Sequence, residues 1–201
     1  MTVVIDDGLL AETLTAALFD DPFYRAIVVG GEPVGQRARL TAYFVHSLAE
    51  GRAVGMVDVT DDGRSGAAIW TPPAGTRGAQ VAAAIKHVRL SKLLTAEGWA
   101  AYAAIGAFSH AWVAEHVPVE AWYLSILGVS PERHGSGLGS QLVRAGLRRV
   151  DVGRRPAYVE TFNPRSVPFY ERHGFATVAT GHESTTGRPF WLLLRPGRDK
   201  A

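Results

Sequence analysis

Cysteine is absent from the 201 residues. A disulfide scaffold, a zinc ribbon, a thiolate nucleophile and an iron–sulfur site are thereby excluded, and any thiol chemistry must arrive with a ligand. Charge of one sign is scarce too: 21 Lys and Arg against 19 Asp and Glu leave a formal charge of +2, no basic footprint for nucleic acid. Long apolar runs are missing. The most apolar stretch, residues 99–114, is shorter than a membrane span, is rich in alanine and contains Ser109 and His110, so it predicts a buried helix and no membrane partner. The opening MTVVIDDG carries two aspartates and no basic residue, unlike a secretory or transit leader, and a cytoplasmic location is expected. His46, His87, His110 and His116 lie far apart without ligand spacing, so no metal is expected. With 47% hydrophobic and 20% charged residues the composition is ordinary, and it predicts one domain over residues 1–201 with its own core.

Leu10, Leu14, Ala17 and Leu18 recur at helical spacing after Asp7, taken as the N-cap, and predict a helix to about Phe19, broken by Asp20-Asp21-Pro22. Leu40, Phe44, Ser47 and Leu48 predict a second helix ending near Gly51. Residues 53–59 and 67–70 then read as a hairpin turning at Asp61-Asp62-Gly63. Residues 75–118 predict two or three helices, with turn chemistry first at Glu97-Gly98. The run 121–129 predicts a central strand, 137–150 a helix, and 157–161 a short strand. Residues 166–173 predict a short helix closed by Gly174, and 175–180 and 190–194 a pair of strands.

The stretch 128–144, GVSPERHGSGLGSQLVR, leads a strand through a glycine-rich turn into an amphipathic helix. Glycines at 135, 137 and 139 permit unusual dihedrals and clear Cβ atoms from the backbone. The free N–H groups of the helix's first turn, its dipole and Arg133 together make an anion site. A plain tight turn requiring glycine is the competing reading. A Walker loop is ruled out because Ser140-Gln141 follow Gly139 where Lys-Ser or Lys-Thr is needed. The G-x-G-x-G spacing, late in the chain, leaves a dinucleotide as the poorer-fitting alternative. In the segment 163–175, Pro168 belongs in a first helical turn, which favours Ser166 over Asn163 as N-cap and leaves the Asn163 amide free.

These elements resemble the GNAT superfamily of acyl-CoA N-acyltransferases. Its phosphate loop, Gln/Arg-x-x-Gly-x-Gly/Ala, is matched by His134, Gly137 and Gly139 after Val129-Ser130-Pro131. Its later Asn…Phe-Tyr-Glu…Gly-Phe element is matched by Asn163, Phe169, Tyr170, Glu171, Gly174 and Phe175. Residues 67–72 and 121–124 also resemble an antibiotic-acetylating branch. The resemblance is strong from 121 to about 197, patchy over 20–73 and poor over 75–118. It implies an α/β (α+β) fold with a mixed, mostly antiparallel central sheet flanked by helices and a helical insertion around 75–118. The acceptor side would lie mainly in 1–120 and the acyl-CoA-binding core in 121–197. His134 stands where the family usually has Gln or Arg, and Ser136 where it usually has a basic residue. Altered CoA contact is therefore expected, with Arg133, Arg144 or Arg148 supplying charge.

By the same resemblance, acetyl-CoA is the co-substrate and its acetyl group passes by direct attack in a ternary complex to a primary amine of a small molecule, such as an aminonucleoside or antibiotic-like compound. Backbone groups of Leu127 and Val129 would hold the pantetheine arm in a gap between two strands. Arg133, His134, Gly135, Gly137, Leu138, Gly139, Ser140, Asn163 and Tyr170 would complete the CoA contacts. Tyr170 would be the general acid and Glu160 the base, while Asp20, Asp21, Phe23, Tyr24 and Trp70 would form the acceptor pocket. A non-catalytic acyl-CoA sensor and a protein or peptide N-acetyltransferase are the alternatives.

Overall fold

The computed structural model describes residues 5–73 and 75–197; the reading of the N-terminus as free of a leader falls partly on residues 1–4, outside this set. Helix α1 (Asp7–Leu18) is capped one residue earlier than expected: Asp6 Oδ1 accepts from the N–H of Gly8 at 2.8 Å, while Asp7 pairs with Arg52. Asp20-Asp21-Pro22 ends α1 and also starts α2 (Pro22–Ile27), with Asp21 as N-cap and Pro22 in the first turn. Helix α3 (Pro33–Val54) runs through Gly51 to Val54, so residues 53 and 54 are helical and strand β1 shortens to Met56–Val59. Gly51 is there for close approach: a Cβ would lie 2.7 Å from Ile69 Cγ2 and 2.8 Å from Val57 Cγ2.

Strand β2 (Gly66–Thr71) follows the turn, where Asp62 Oδ1 accepts from the N–H groups of Arg64 and Ser65 and Gly63 takes φ +70°. Helices α4 (Arg77–Leu93) and α5 (Ala96–His116) fill the expected insertion. They break at Leu94-Thr95, where Thr95 Oγ1 caps α5, and not at Glu97-Gly98. Gly98 lies inside α5 because its bare Cα presses on the carbonyl of Ile27. Then come β3 (Trp122–Val129), α6 (Leu138–Val152), β4 (Ala157–Thr161), α7 (Val167–Glu171), β5 (Ala176–Glu183) and β6 (Arg188–Arg195), with single 3-10 turns at Pro131–Arg133 and Pro164–Ser166.

The six strands form one sheet in the order β1-β2-β3-β4-β6-β5, antiparallel throughout except between β3 and β4. Those two strands pair only at Trp122↔Ala157 and Tyr123↔Tyr158 and then part. A bulge contributes to the parting. Ile69 faces Ile126 but Trp70 faces Leu124, so Ser125 is the extra residue, and its hydroxyl donates to Ile69 O at 3.0 Å. One sheet face packs on α1, α2, α3 and α5 through Leu10, Leu14, Ile27, Phe44, Ile105 and Phe190. The other packs on α6 and α7 through Trp70, Leu142, Val143, Leu147, Tyr170 and Leu193. Among the described residues no helix is long and apolar enough to cross a membrane.

Candidate active site

The glycine loop presents bare backbone ahead of α6. After the 3-10 turn, Gly135 and Gly137 adopt φ of +78° and +83°, and nothing lies within 4 Å of the Cβ either would carry. Backbone conformation, not crowding, requires glycine there. No side chain caps α6; its first backbone bond runs from the N–H of Gln141 to Gly137 O at 3.0 Å, so the N–H groups of Leu138, Gly139 and Ser140 precede the helical ladder. A Cβ on Gly139 would stand 3.6 Å from the Phe169 ring. Charges of both signs lie near this turn, Asp61 beside Gln141 and two arginines about His173. His173 Nε2 lies 3.1 Å from Ser140 Oγ, and its imidazole is held below the usual range by burial and by the guanidinium groups of Arg144 and Arg172. Arg148, by contrast, acts on Asp58, which is paired with Arg149. The His134 side chain folds back so that Nε2 is 3.2 Å from Val129 O, occupying a carbonyl expected to serve the pantetheine arm. An uncapped helix start, a bare loop and two nearby guanidinium groups fit a pyrophosphate.

Beyond Tyr123 the edge of β3 faces the gap that opens toward β4. A cavity of about 1560 Å³ begins there and extends beneath α4 and α5; Leu127, Asn163, Tyr170, Glu160, Asp21 and Tyr43 are among its lining residues. Glu160, at the end of β4, accepts hydrogen bonds from Ser109 on α5 and from the Tyr123 hydroxyl, the latter at 3.3 Å. These bonds offset only part of the cost of burial, and its carboxyl is pushed up to about 7. Burial also lifts Asp21, to about 6, against the opposing hydrogen bonds from the N–H groups of Phe23 and Tyr24. Tyr170 is buried against Phe169 and Phe175, and its hydroxyl is pushed well above the usual phenol range by burial first and by Asp21 second. Tyr24 responds to Tyr43, Asp21 and Tyr170 as well as to burial, so these groups share one region. The cavity therefore offers a carboxylate that exchanges its proton near neutrality and a phenol that keeps its own.

Of the seventeen sequence-derived candidates, eight line this space: Asp20, Asp21, Phe23, Tyr24, Leu127, Glu160, Asn163 and Tyr170. Asp20 sits exposed at the rim, 3.2 Å from Arg25. Trp70 is a correction. It is fully buried on the opposite face of the sheet, where its indole fills the space over Gly146 and its Nε1 has no hydrogen-bond partner. Ser166 holds the N-cap position of α7 as expected but makes no capping bond, and Asn163 caps the preceding 3-10 turn, its Oδ1 accepting from the N–H of Arg165 at 3.0 Å. The sequence reading missed Tyr43, Glu50, Lys86, Tyr102, Ser109 and Tyr123, all of which line the cavity. Only Ser109, a hydroxyl within an apolar run, carried a local signal.

Residues 91–177 match the family model of the acetyltransferase (GNAT) domain. The chain is 38% identical over 72 residues to mycothiol acetyltransferase of Streptomyces avermitilis, a match covering 34% of this chain and 23% of that protein. It is 42% identical over 74 residues to mycothiol acetyltransferase of Corynebacterium glutamicum, covering 35% and 25% respectively. The matched stretch thus spans about a quarter of the length of these curated relatives. A solved structure described as histone acetyltransferase HPA2 and related acetyltransferase, from Corynebacterium glutamicum, superposes with a TM-score of 0.65 at 23% identity, covering 95% of this chain and 91% of that one. A mosquito arylalkylamine N-acetyltransferase like 5b does so with a TM-score of 0.60 at 14% identity, covering 96% and 97%. At these identities the structural likeness shows the fold alone: the chain has the mixed α/β fold of these acetyltransferases, and residues 91–177 are similar to the acetyltransferase (GNAT) domain.

Proposed function

We propose that the protein is an acetyl-CoA-dependent N-acetyltransferase acting on the primary amine of a small molecule by direct attack in a ternary complex. The observation that carries this reading is the meeting of Glu160 and Tyr170 in one cavity at the gap between β3 and β4. Its volume of about 1560 Å³ exceeds the usual range for a single ligand pocket, roughly 300–1,000 Å³, and suits two substrates held together. The loop from Arg133 to Ser140 would grip the pyrophosphate through backbone N–H groups, with Arg144 and Arg172 adding charge, while Leu127 and its neighbours on β3 orient the arm. Acetyl-CoA, when bound, supplies the thioester carbonyl as electrophile. Asp21 attracts the incoming ammonium, Glu160 takes its first proton and so frees the lone pair that bonds to the carbonyl carbon, and the second proton the nitrogen then loses replaces the one Tyr170 gives to sulfur. As the carbon–sulfur bond breaks, Tyr170 donates toward the departing sulfur. Donors along β3 aimed at the carbonyl oxygen would stabilise its developing charge.

A base near pH 7 suits an amine of modest basicity, such as an α-amine at about 8, better than a lysine amine at about 10.4. The roof formed by α4 and α5 supports a small acceptor over a protein side chain. Residues 67–72 and 121–124 are similar to stretches of puromycin N-acetyltransferase, which makes aminonucleosides and other antibiotic-like amines the first class to test. The mycothiol acetyltransferase relatives support acetyl transfer without narrowing the acceptor. Release of free CoA thiol from acetyl-CoA should be followed across a panel of small amines that includes puromycin. Amine-dependent release is expected. Tight CoA binding without release on any amine would instead make the protein a sensor, and no CoA binding at all would remove the reading.

A further inference from the structure

Away from the gap, the same cavity contains a polar element that acetyl transfer does not require. Glu50 on α3 accepts from Lys86 Nζ on α4 at 2.8 Å, and the two side chains are only 13% and 14% exposed. The ammonium also stands 5.3 Å from the centre of the Tyr43 ring. Tyr43 in turn meets Tyr24 edge-on at 5.6 Å, and Tyr24 lies within electrostatic reach of Asp21 and Tyr170. A short chain of aromatic rings therefore joins the reaction end of the cavity to the ion pair.

Stability alone explains the pair poorly. Taking two charges out of water costs roughly what their attraction returns, and apolar residues would clamp α3 to α4 at least as well. What the pair offers is chemistry. An ammonium has three N–H donors, of which the bond to Glu50 uses one, and a carboxylate has a second oxygen able to accept. The pair carries no net charge. A ligand head presenting both a donor and an acceptor, and itself uncharged, would be matched by both partners; a carboxylate head would confront Glu50, and a second ammonium would confront Lys86.

We propose that Glu50 and Lys86 form the subsite for the far end of the acceptor. Resting on the acetyl-transfer reading, this makes the acceptor a monocationic amine with a flat or aromatic middle, lying along Phe23, Tyr24, Tyr43 and Tyr102. Its distal head is uncharged and carries donors and acceptors side by side, as a carboxamide, neighbouring hydroxyls or a nucleobase edge do.

The test uses phenethylamines bearing hydrogen, a carboxamide, a carboxylate or an aminomethyl group at the para position. Binding to the CoA-saturated protein is measured by calorimetry, and turnover is measured separately with acetyl-CoA. The carboxamide should bind about tenfold tighter than the unsubstituted amine, and neither charged head should gain on it. In Lys86→Met the carboxamide preference should shrink to within about threefold. Glu50→Gln keeps the size and an acceptor but leaves Lys86 unbalanced, so it should turn the preference toward the carboxylate head. A pair that merely clamps two helices would produce no such switch. Should Lys86→Met fail to fold, the wild-type series and Glu50→Gln still decide. A wild-type preference for the carboxylate, or an unaltered order of heads in a folded variant, would overturn the subsite. Binding in the expected order without turnover would keep the subsite and refute acetyl transfer; turnover without that order would do the reverse.

Discussion

Glu160→Gln should damage activity and improve stability, and the improvement should depend on pH in a direction fixed by the burial of the carboxyl. In the folded protein that carboxyl is raised from an ordinary 4.5 to about 7, chiefly by burial. The native state therefore retains a proton that the unfolded chain releases between those two values. Wild-type stability contributed by this group must fall as pH rises across that window and level off above it. Fully expressed, the loss is about 3 kcal/mol; hydration through the cavity reduces it to about 1–3 kcal/mol. Glutamine cannot ionise, keeps the side-chain shape, and its oxygen can still accept from Ser109 and Tyr123. At pH 8 the variant should be more stable than wild type by that amount, and at pH 4 the two should coincide. Urea unfolding at the two pH values measures the difference directly. Turnover should drop by about 10²–10⁴, with CoA affinity retained, and wild-type turnover should fall about tenfold per pH unit below pH 7. An equal stability difference at both pH values would refute the burial argument, and full turnover in the variant would refute the base.

Two further substitutions separate the remaining roles. Tyr170→Phe keeps the ring contacts with Phe169 and Phe175 and removes only the hydroxyl, so kcat should fall about ten- to a thousandfold while CoA affinity measured by calorimetry stays within about threefold; unchanged kcat would take the acid role from it. Trp70→Phe removes a buried Nε1 that lacks a partner and loses part of a packed ring, opposing effects of about 1–3 kcal/mol each, so thermal unfolding should change little and the KM for the amine not at all. A shifted amine KM in a fully stable Trp70→Phe protein would return Trp70 to the acceptor pocket.

The order of elements was legible because local chemistry announces it. Asp62-Gly63 shapes the first hairpin, and Gly174 at φ +85° closes the turn before β5. Errors arose where a residue answers to a distant neighbour. Gly51 and Gly98 look like helix ends in a one-dimensional reading, yet each sits inside a helix because another element passes too close for a Cβ. Trp70 follows the same logic. In β2 only Thr71 escapes burial, so alternation along the strand could not tell which face the indole would take; the missing Cβ of Gly146, on a helix far along the chain, decided it.

The two halves of the site differ in legibility for a related reason. The proposed pyrophosphate site would use consecutive backbone N–H groups, and the positive φ at Gly135 and Gly137 must be written as glycine within three residues of sequence. The proposed acceptor end is lined by side chains at 43, 50, 86, 102, 109 and 160, drawn from three helices and a strand, and no contiguous pattern encodes their meeting. Each fits its own helix or strand as an ordinary residue; Glu50 and Lys86 would pass for solvated charges until α3 and α4 pack and enclose them. The same separation bears on how specificity could change. Substitutions along α4 and α5 can reshape the acceptor end without touching the loop or the parting of β3 from β4, since the loop rests on α6 and the gap on the bulge at Ser125. Under the proposed function, acceptor choice would be free to vary while the donor site stays constant, since α4 and α5 line the far part of the cavity.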